Sequence, residues 1–434
     1  MIDGFNAINF RSDAFTSAVY VGSSAIIGLT LASLSLNYIG PEIYGLWVLL
    51  QSAMFVGMMS EQGLGLAIIR VVANDGSSKD QDLVVTSFVP AVIVSTVFLC
   101  IIIGVNASFT SYASEVVNNT VYLEYILPTL GITTVFMILG VIPCAVLTGM
   151  KKLYLVNLIK TMARMLQLIS ASTLFYFGYS LWSLVISLLV YQFSVFSLSA
   201  LALAKKFNYK TNPSASYQPA IFDELWAIGS KIVLARIIGL GIDPLFKFTL
   251  GAVVGLSYVT FYDLAFKIVS LVSQVPVVAL KGRMAGYKEL LRVGNGSIVK
   301  KSMKASDFGI ALYLVVVFLM VYFGLDLFLK LWLSSGYDPL ISVTVLFLIP
   351  PLSFYVFAHS RELLLITSGD AMTSLRAYIT QGFLLPVFMG ILLLSTEPTS
   401  YKSLLFCYGS SHIMASGFIW RNYRTFLKSL VRRD

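Results

Sequence analysis

Five basic side chains lie inside long apolar runs of the sequence, where a charge needs a specific reason. They are Lys160, Arg164, Lys231, Arg236 and Lys267. A Lys or Arg that faces lipid at the centre of a bilayer costs roughly 2.5–3.5 kcal/mol, so such residues normally face a protein interior or an aqueous cavity. Arg presents a planar fork of donors that matches phosphate oxygens, and Lys supplies a point charge. We therefore predict that these residues bind an anionic substrate.

The spacing around the first pair predicts a polar stripe on one helix. Lys160 and Arg164 are four residues apart and share a helix face, which Asn157 and Gln167 extend at spacings of three. Arg164 and Lys231 both lie near the middle of their apolar runs. These two residues are therefore the strongest candidates for contact with the anion.

Other charged residues in or beside the apolar runs are candidates for gating or ion coupling. They are Glu61, Arg70, Asp243, Asp263, His359 and Glu362. A purely structural alternative applies to some of them. Asp263 and Lys267 have the spacing of an ion pair within one helix, and Arg236 lies on the same face as Asp243 seven residues later.

Two of these candidate pairs have alternatives that the sequence leaves open. Glu61 and Arg70 could form a gate at the cytoplasmic rim of the membrane, or each could be solvated in a loop. His359 and Glu362 are three residues apart, and histidine titrates in a range that suits proton coupling. The alternative is a histidine packed near the end of its helix, with Arg361 solvated beside it.

The composition of the chain is typical of a protein that is embedded in a membrane. The chain of 434 residues is 57% hydrophobic and only 12% charged, about half the charge of a soluble domain, and its mean hydropathy is +0.84. Twelve apolar runs are long enough to span a bilayer as helices. They lie near residues 14–37, 43–60, 83–105, 122–147, 153–177, 180–203, 221–242, 250–275, 307–329, 341–367, 373–395 and 401–420. Because these runs do not alternate apolar and polar residues, a β-barrel is disfavoured and we predict an all-α integral membrane protein.

Several function classes are excluded by what the sequence lacks. The three cysteines show no CxxC spacing, and the two histidines belong to no metal, triad or phosphate-loop motif. We expect no catalytic residue, no metal and no cofactor. The basic residues are scattered over short loops and the tail instead of forming one face, so nucleic-acid binding is not expected.

The distribution of positive charge predicts the orientation. Most of the 30 Lys and Arg residues fall on one side of the predicted helices, and only Lys247, Lys330 and Lys402 fall in loops on the other side. Because positive loops remain in the cytoplasm, both termini should be cytoplasmic. The densest basic stretch, residues 281–304, could contact anionic lipid headgroups or form a solvated loop.

A polar interruption near residues 204–220 divides the apolar runs six and six. We predict an N-terminal lobe of residues 1–204, a cytoplasmic linker of residues 205–220, and a C-terminal lobe of residues 221–434 with a basic cytoplasmic tail. Two lobes are a usual plan of secondary transporters, whose substrate site lies near the bilayer midplane.

Two segments of the sequence resemble a known family. The first comprises Tyr38 to Trp47 (YIGPEIYGLW), Glu61, the GLG of residues 63–65, and Arg70. The second comprises Asp243, Leu250-Gly251, Val254-Gly255, Tyr258 and the AFK of residues 265–267. Both are similar to the Wzx-type polysaccharide transporters of the MOP superfamily, which flip lipid-linked O-antigen units. Glu61 stands where this family often has Asp, which preserves the charge.

The resemblance implies a MOP/MATE-like fold with about twelve transmembrane helices in two six-helix lobes. It also implies a flippase that moves an undecaprenyl-diphosphate-linked oligosaccharide across the bacterial cytoplasmic (inner) membrane, by alternating access through a cationic central cavity. That oligosaccharide would be the repeat unit of O-antigen, as in lipopolysaccharide, or of a related surface polysaccharide. The implied partners are membrane lipids, a coupling ion (H⁺ or Na⁺), a glycan polymerase and a chain-length regulator. A flippase for lipid II or for a teichuronic-type precursor is an alternative within the same class of protein.

Two other classes of protein are alternatives. A MATE-like cation-coupled drug exporter would share the twelve helices and two lobes, but its cationic cargo would require an acidic cavity. A membrane glycan polymerase or ligase would be expected to carry a large external loop. The longest external loop predicted here, near residues 106–121, has no Lys, Arg or His.

Overall fold

A computed structural model of the protein describes residues 2–75, 80–116, 123–206, 217–292, 296–367, 371–394 and 400–431. Regular structure in these ranges is helical throughout. The helices are α1 (Ile2–Ala53), α2 (Phe55–Ser60), a π-helical segment (Glu61–Gly65), α3 (Leu66–Asp75), α4 (Asp80–Val116), α5 (Ile126–Gly149), α6 (Leu153–Tyr176), α7 (Leu181–Lys206), α8 (Pro219–Val253), α9 (Leu256–Arg292), α10 (Gly296–Leu333), α11 (Pro339–Thr367), α12 (Ala371–Leu394) and α13 (Tyr401–Val431). Short 3₁₀ turns cover Leu123–Tyr125 and Ser334–Gly336. The prediction of an all-α protein is confirmed.

The helices are long because hydrocarbon offers no partner for a free backbone amide or carbonyl. Within the described residues, 8 helical segments are long and apolar enough to cross a membrane. The first of these, Phe15–Val72, has 58 residues, which is enough for two crossings. Helices α6, α8 and α13 have suitable lengths and carry more polar residues. These segments account for the twelve predicted spans.

Gly40 separates the two membrane crossings within α1. Its φ of 74° and ψ of 174° interrupt the helix immediately before Pro41, in a conformation that is essentially restricted to glycine. The chain therefore turns at Gly40 and Pro41, between the first two predicted spans.

The second predicted helix continues beyond the apolar run near residues 43–60. It passes through the π-helical segment Glu61–Gly65 into α3, which ends at Asp75. Gly65 allows close packing, because a Cβ atom there would lie 3.1 Å from Cγ1 of Val141. π-Helical turns are rare and are frequently found at functional sites.

The chain forms two compact units, unit 1 (Met1–Ile237) and unit 2 (Ile238–Asp434). In unit 1, α5 packs against α3, α4 and α7, and 72% of its most apolar window is buried, the largest share among the candidate spans. In unit 2, α11 packs against α9, α12 and α13. The predicted linker overlaps residues 207–216, which lie outside the described residues, and α8 begins at Pro219.

Several helices extend well beyond the apolar runs that predicted them. Helix α9 continues to Arg292, α10 begins at Gly296, and α13 continues to Val431. The basic stretch of residues 281–304 is therefore largely helical, which contradicts the alternative of a solvated loop; contact with lipid headgroups stays a prediction. Polar residues at helix ends mark the limit of the apolar environment, and the helix itself can continue past that limit.

Candidate functional site

The polar stripe predicted on α6 is the first candidate site, and it lies in unit 1. Asn157 and Gln167 are both buried, at 6% and 5% exposure. The side-chain amide of Asn157 donates to the hydroxyl oxygen of Ser17 over 2.9 Å, which ties α6 to α1. The stripe is therefore an internal polar surface of the unit.

Lys160 forms an ion pair with Glu61. Its Nζ lies 2.8 Å from Oε1 of Glu61, and the two side chains are 19% and 51% exposed. The π-helical segment thus places its first residue directly against the stripe. The sequence considered Arg70 as the partner of Glu61, but the described contact of Glu61 is with Lys160, while Arg70 is exposed on α3.

Arg164 is held in place by two contacts and retains hydrogen-bonding capacity. Its Nη1 donates to Oε1 of Gln167 over 2.7 Å, and its guanidinium carbon lies 4.1 Å from the ring centroid of Tyr191. This arrangement over the ring is a cation–π contact. Among the described residues, the buried Nε of Arg164 has no hydrogen-bond partner. A fixed guanidinium with a spare donor is suited to binding an anion.

The other two predicted anion-binding residues in this part of the sequence lie on α8. Lys231 and Arg236 belong to its helical backbone, and their side chains lie outside the described residues. Their predicted roles therefore stay predictions.

A second charged cluster lies in unit 2 and alternates in sign. Nζ of Lys247 lies 2.9 Å from Oδ2 of Asp243 and 3.0 Å from Oδ1 of Asp263. Lys267 pairs with the other oxygen of Asp263 at 2.5 Å, as the spacing within α9 predicted. Lys247 and Asp263 are buried, at 7% and 5% exposure. The four charges balance, with Asp243 and Lys267 at the more exposed ends.

The sequence analysis was wrong about Lys247. It placed this residue in an external loop because Lys247 lies between the apolar runs near residues 221–242 and 250–275. Helix α8 instead continues through Pro244 to Val253, so that Lys247 lies one turn after Asp243. Its pairing with two carboxylates explains why a Lys is tolerated there. The spacing of Asp243 and Lys247 was a usable signal for this pair.

Tyr262 extends the charged cluster and was missed by the sequence analysis. Its hydroxyl donates to Oδ1 of Asp243 over 2.9 Å, and its side chain is fully buried. Its ring meets that of Tyr408 edge-on, with centroids 5.6 Å apart. No local pattern in the sequence singles out Tyr262, because its partners lie on two other helices.

Both histidines of the chain lie in unit 2 and contact the same tyrosine. Nδ1 of His359 lies 2.7 Å from Oε2 of Glu362, and Glu362 is only 1% exposed. The rings of His359 and His412 lie 5.5 and 5.9 Å from that of Tyr355. The predicted contact of His359 with Glu362 is therefore present. Neither ring nitrogen of His412 has a hydrogen-bond partner among the described residues.

Arg361 is buried, whereas the structural alternative for His359 had Arg361 solvated beside it. It is 2% exposed, pairs with Asp307 through Nη2, and its guanidinium carbon lies 4.0 Å from the ring centroid of Trp420. The pairing of Arg361 with Asp307 on α10 compensates the cost of burying its charge. Sequence spacing could not reveal this pair, because its members are far apart in the chain.

The described residues contain no group of three or more His, Cys, Asp and Glu side chains that could hold a metal ion. What they offer is a cationic stripe in unit 1 and a balanced charge cluster in unit 2. The first arrangement suits an anionic ligand, and the second suits a change in ion pairing.

Comparison with solved structures identifies the fold. An inward-facing multidrug resistance MATE family transporter of the MOP superfamily superposes with a TM-score of 0.69 at 13% identity, covering 94% of this chain and 96% of that chain. The lipid II flippase MurJ, in an inward closed conformation, gives a TM-score of 0.65 at 12% identity, covering 94% and 87%. A MOP superfamily transporter from Pyrococcus furiosus, described as having a binding pocket of reverse polarity, gives 0.61 at 12% identity, covering 98% and 94%.

Sequence comparison identifies the family. No curated protein matches the chain. The sequence model of the family described as "Polysaccharide biosynthesis protein" matches residues 38–281, which is more than half of the chain and includes both segments of the predicted resemblance. The chain therefore belongs to the polysaccharide biosynthesis protein family and has the MOP-superfamily transporter fold.

Proposed function

We propose that the protein is a flippase that moves an undecaprenyl-diphosphate-linked oligosaccharide, the repeat unit of O-antigen or of a related surface polysaccharide, across the bacterial cytoplasmic membrane. It works by alternating access through a cationic cavity. The diphosphate is the group that the protein holds, and Lys160 and Arg164 are its main ligands in unit 1. Lys231 and Arg236 on α8 complete the set.

The geometry of Arg164 is the observation that carries this proposal. Its contacts with Gln167 and Tyr191 fix the guanidinium, and its buried Nε is a donor without a described partner. A preorganised guanidinium loses little side-chain entropy when an anion binds, and it can donate two parallel hydrogen bonds to phosphate oxygens. Polysaccharide precursors that are carried on a lipid diphosphate provide such an anion.

Glu61 acts as the internal counter-ion of this site in the proposal. It neutralises Lys160 while no anion is bound, and its half-exposed carboxylate can leave when phosphate arrives. Because an exposed ion pair contributes only about 0–1 kcal/mol, this exchange is inexpensive. The ion pair would thus gate access to the stripe without blocking it.

The charge of the stripe disfavours a cationic drug as cargo. Two cations and one anion meet there, so the described groups carry a net positive charge. A cationic cargo would need a binding site with a net negative charge. The likeness to MATE transporters shows the fold. The positive charge of these residues supports the proposal of a flippase over that of a cationic-drug exporter.

The test is translocation of a labelled undecaprenyl-diphosphate oligosaccharide in proteoliposomes. We expect transport by the wild type and at least a tenfold loss in Arg164→Ala and in Lys231→Ala. Lys402→Ala, which removes an exposed Lys at the start of α13, is the matched control and should transport normally. Full transport by both variants would contradict the assignment, and uptake of a cationic dye without glycan transport would favour the exporter.

We further propose that unit 2 binds the coupling ion, which is H⁺ at His359 and Glu362, while Asp243 and Asp263 exchange partners during the cycle. The close contact between imidazole and a buried carboxylate supports a shared proton. In proteoliposomes, an imposed pH gradient should drive transport in the wild type but not in Glu362→Gln, which should still transport down a substrate gradient. A response of Glu362→Gln equal to that of the wild type would exclude this carboxylate, and dependence on Na⁺ alone would exclude proton coupling.

A further inference from the structure

A basic cavity lies near the end of α13. Its volume is about 420 Å³, and the described residues that line it are Gly417, Trp420, Arg421, Arg424 and Thr425. These positions recur every three or four residues and therefore share one face of the helix. We infer that this cavity binds the phosphate headgroup of an anionic phospholipid.

The length of α13 places the cavity at the level of lipid headgroups. The helix begins at Tyr401, and Trp420 lies about 29 Å further along it at 1.5 Å per residue. That distance equals the thickness of the hydrocarbon core, which is about 30 Å. Arg421 and Arg424 therefore come immediately after the apolar part of the span, where Trp side chains are enriched and phosphates lie.

The charge of the cavity is not compensated within the described part of the chain. Arg421 and Arg424 are exposed, and no described carboxylate forms an ion pair with either of them. Asp307 pairs with the buried Arg361, whose guanidinium lies over the Trp420 ring. Two guanidinium groups one turn apart are thus free to donate to the oxygens of one phosphate.

The walls of the cavity are fixed independently of any ligand. The guanidinium of Arg361 lies over the Trp420 ring at 4.0 Å, and the hydroxyl of Thr425 donates to the backbone oxygen of Arg421. Gly417 leaves the cavity open, since a Cβ atom there would meet no atom within 4 Å. The site is therefore a preformed space with an aromatic wall and two cationic donors.

The test measures lipid binding to the purified full chain by native mass spectrometry. Phosphatidylglycerol and phosphatidylcholine with identical acyl chains are the probes. A basic side chain near an anionic surface contributes roughly fivefold in affinity. We therefore expect the wild type to prefer phosphatidylglycerol by at least tenfold at one site, and Arg421→Gln/Arg424→Gln to abolish that preference. Lys205→Gln/Arg376→Gln, which removes two exposed charges from α7 and α12, should keep it.

The variant Gly417→Leu distinguishes lipid binding in a cavity from lipid binding to a basic surface. The substitution fills the space without changing charge, and Leu is a good helix former, so the variant should fold. It should weaken phosphatidylglycerol binding by a similar factor. Unchanged binding in Gly417→Leu, an equal loss in Lys205→Gln/Arg376→Gln, or no preference in the wild type would overturn the inference.

A competition experiment separates a lipid from a soluble phosphate. Inorganic phosphate and glycerol 3-phosphate should fail to displace phosphatidylglycerol at equal concentration, because they lack the acyl chains that remain in the apolar phase. Displacement at equal concentration would assign the cavity to a soluble anion and overturn the lipid assignment. The inference does not depend on the proposed function, since a protein that transports no glycan can still show this lipid preference.

Discussion

At the scale of single residues, the two lysines of the unit 2 cluster have different environments. Lys247 contacts Asp243 and Asp263 and is almost fully buried, whereas the side chain of Lys267 is 32% exposed and contacts Asp263. Removing one member of a buried ion pair leaves an uncompensated charge and costs about 3–5 kcal/mol. Exposed pairs contribute far less, because water solvates each partner.

We therefore expect Lys247→Met to destabilise the protein by about 3–5 kcal/mol and Lys267→Met to do so by clearly less. After loss of Lys267, Asp263 still has Lys247 as a partner. After loss of Lys247, Asp243 loses its described ion-pair partner. Thermal unfolding of the detergent-purified variants measures the difference. Equal destabilisation, or the reverse order, would contradict the arrangement of the cluster.

His412 provides a second prediction at this scale. Its ring packs against Tyr408 at a centroid distance of 4.6 Å, and neither of its nitrogens has a described partner. A buried polar group without a hydrogen bond costs about 1–3 kcal/mol. His412→Phe keeps the aromatic packing and removes that cost, so its unfolding temperature should equal or exceed that of the wild type. A clear decrease would indicate a hydrogen bond to the imidazole.

At the scale of helices, Gly40 and Gly22 form a matched pair within α1. A Cβ atom would meet nothing within 4 Å at either position, but Gly40 alone of the two has a positive φ. We expect Gly22→Ala to stabilise the protein by about 0.5–1 kcal/mol and Gly40→Ala to destabilise it by about 1–3 kcal/mol. Thermal unfolding measures both effects, and a Gly40→Ala variant as stable as Gly22→Ala would exclude the turn.

Apolar runs predicted the existence, order and type of the helices, because length and hydropathy alone determine a membrane span. They did not predict the π-helical segment Glu61–Gly65, which differs from an α-helix only in its backbone hydrogen bonds. The end of α8 was also misjudged, because its apolar run ends near residue 242 whereas the helix continues to Val253.

The candidate site was predictable where its contacts are local. The stripe containing Lys160 and Arg164 and the pair of Asp263 with Lys267 followed from helical spacing. The partners of Lys160 and Arg361 lie on distant helices, so only the packed structure reveals them. The roles assigned to the predicted site residues stay predictions that the transport assays test.

At the scale of the whole molecule, the excess of Lys and Arg on one side of the helices predicts that both termini face the cytoplasm. A green fluorescent protein fused after Asp434 should therefore fluoresce in cells, and alkaline phosphatase fused at the same point should be inactive. The control is a pair of fusions in the external loop near residue 337, between α10 and α11, where the outcome should be reversed. An active phosphatase at the C-terminus would require an odd number of spans or the opposite orientation.

The π-helical segment also has a consequence for how the chain tolerates changes in length. One turn of π-helix contains one more residue than one turn of α-helix, so deletion of Gln62 would convert Glu61–Gly65 into regular α-helix. Because the π-helical turn absorbs the extra residue, the deletion would leave a continuous helix into α3 and would redirect only side chains within the segment, of which Glu61 is one. This segment is therefore a point where the chain can lose one residue without losing a membrane span, and the contact of Glu61 with Lys160 is what such a loss would disturb.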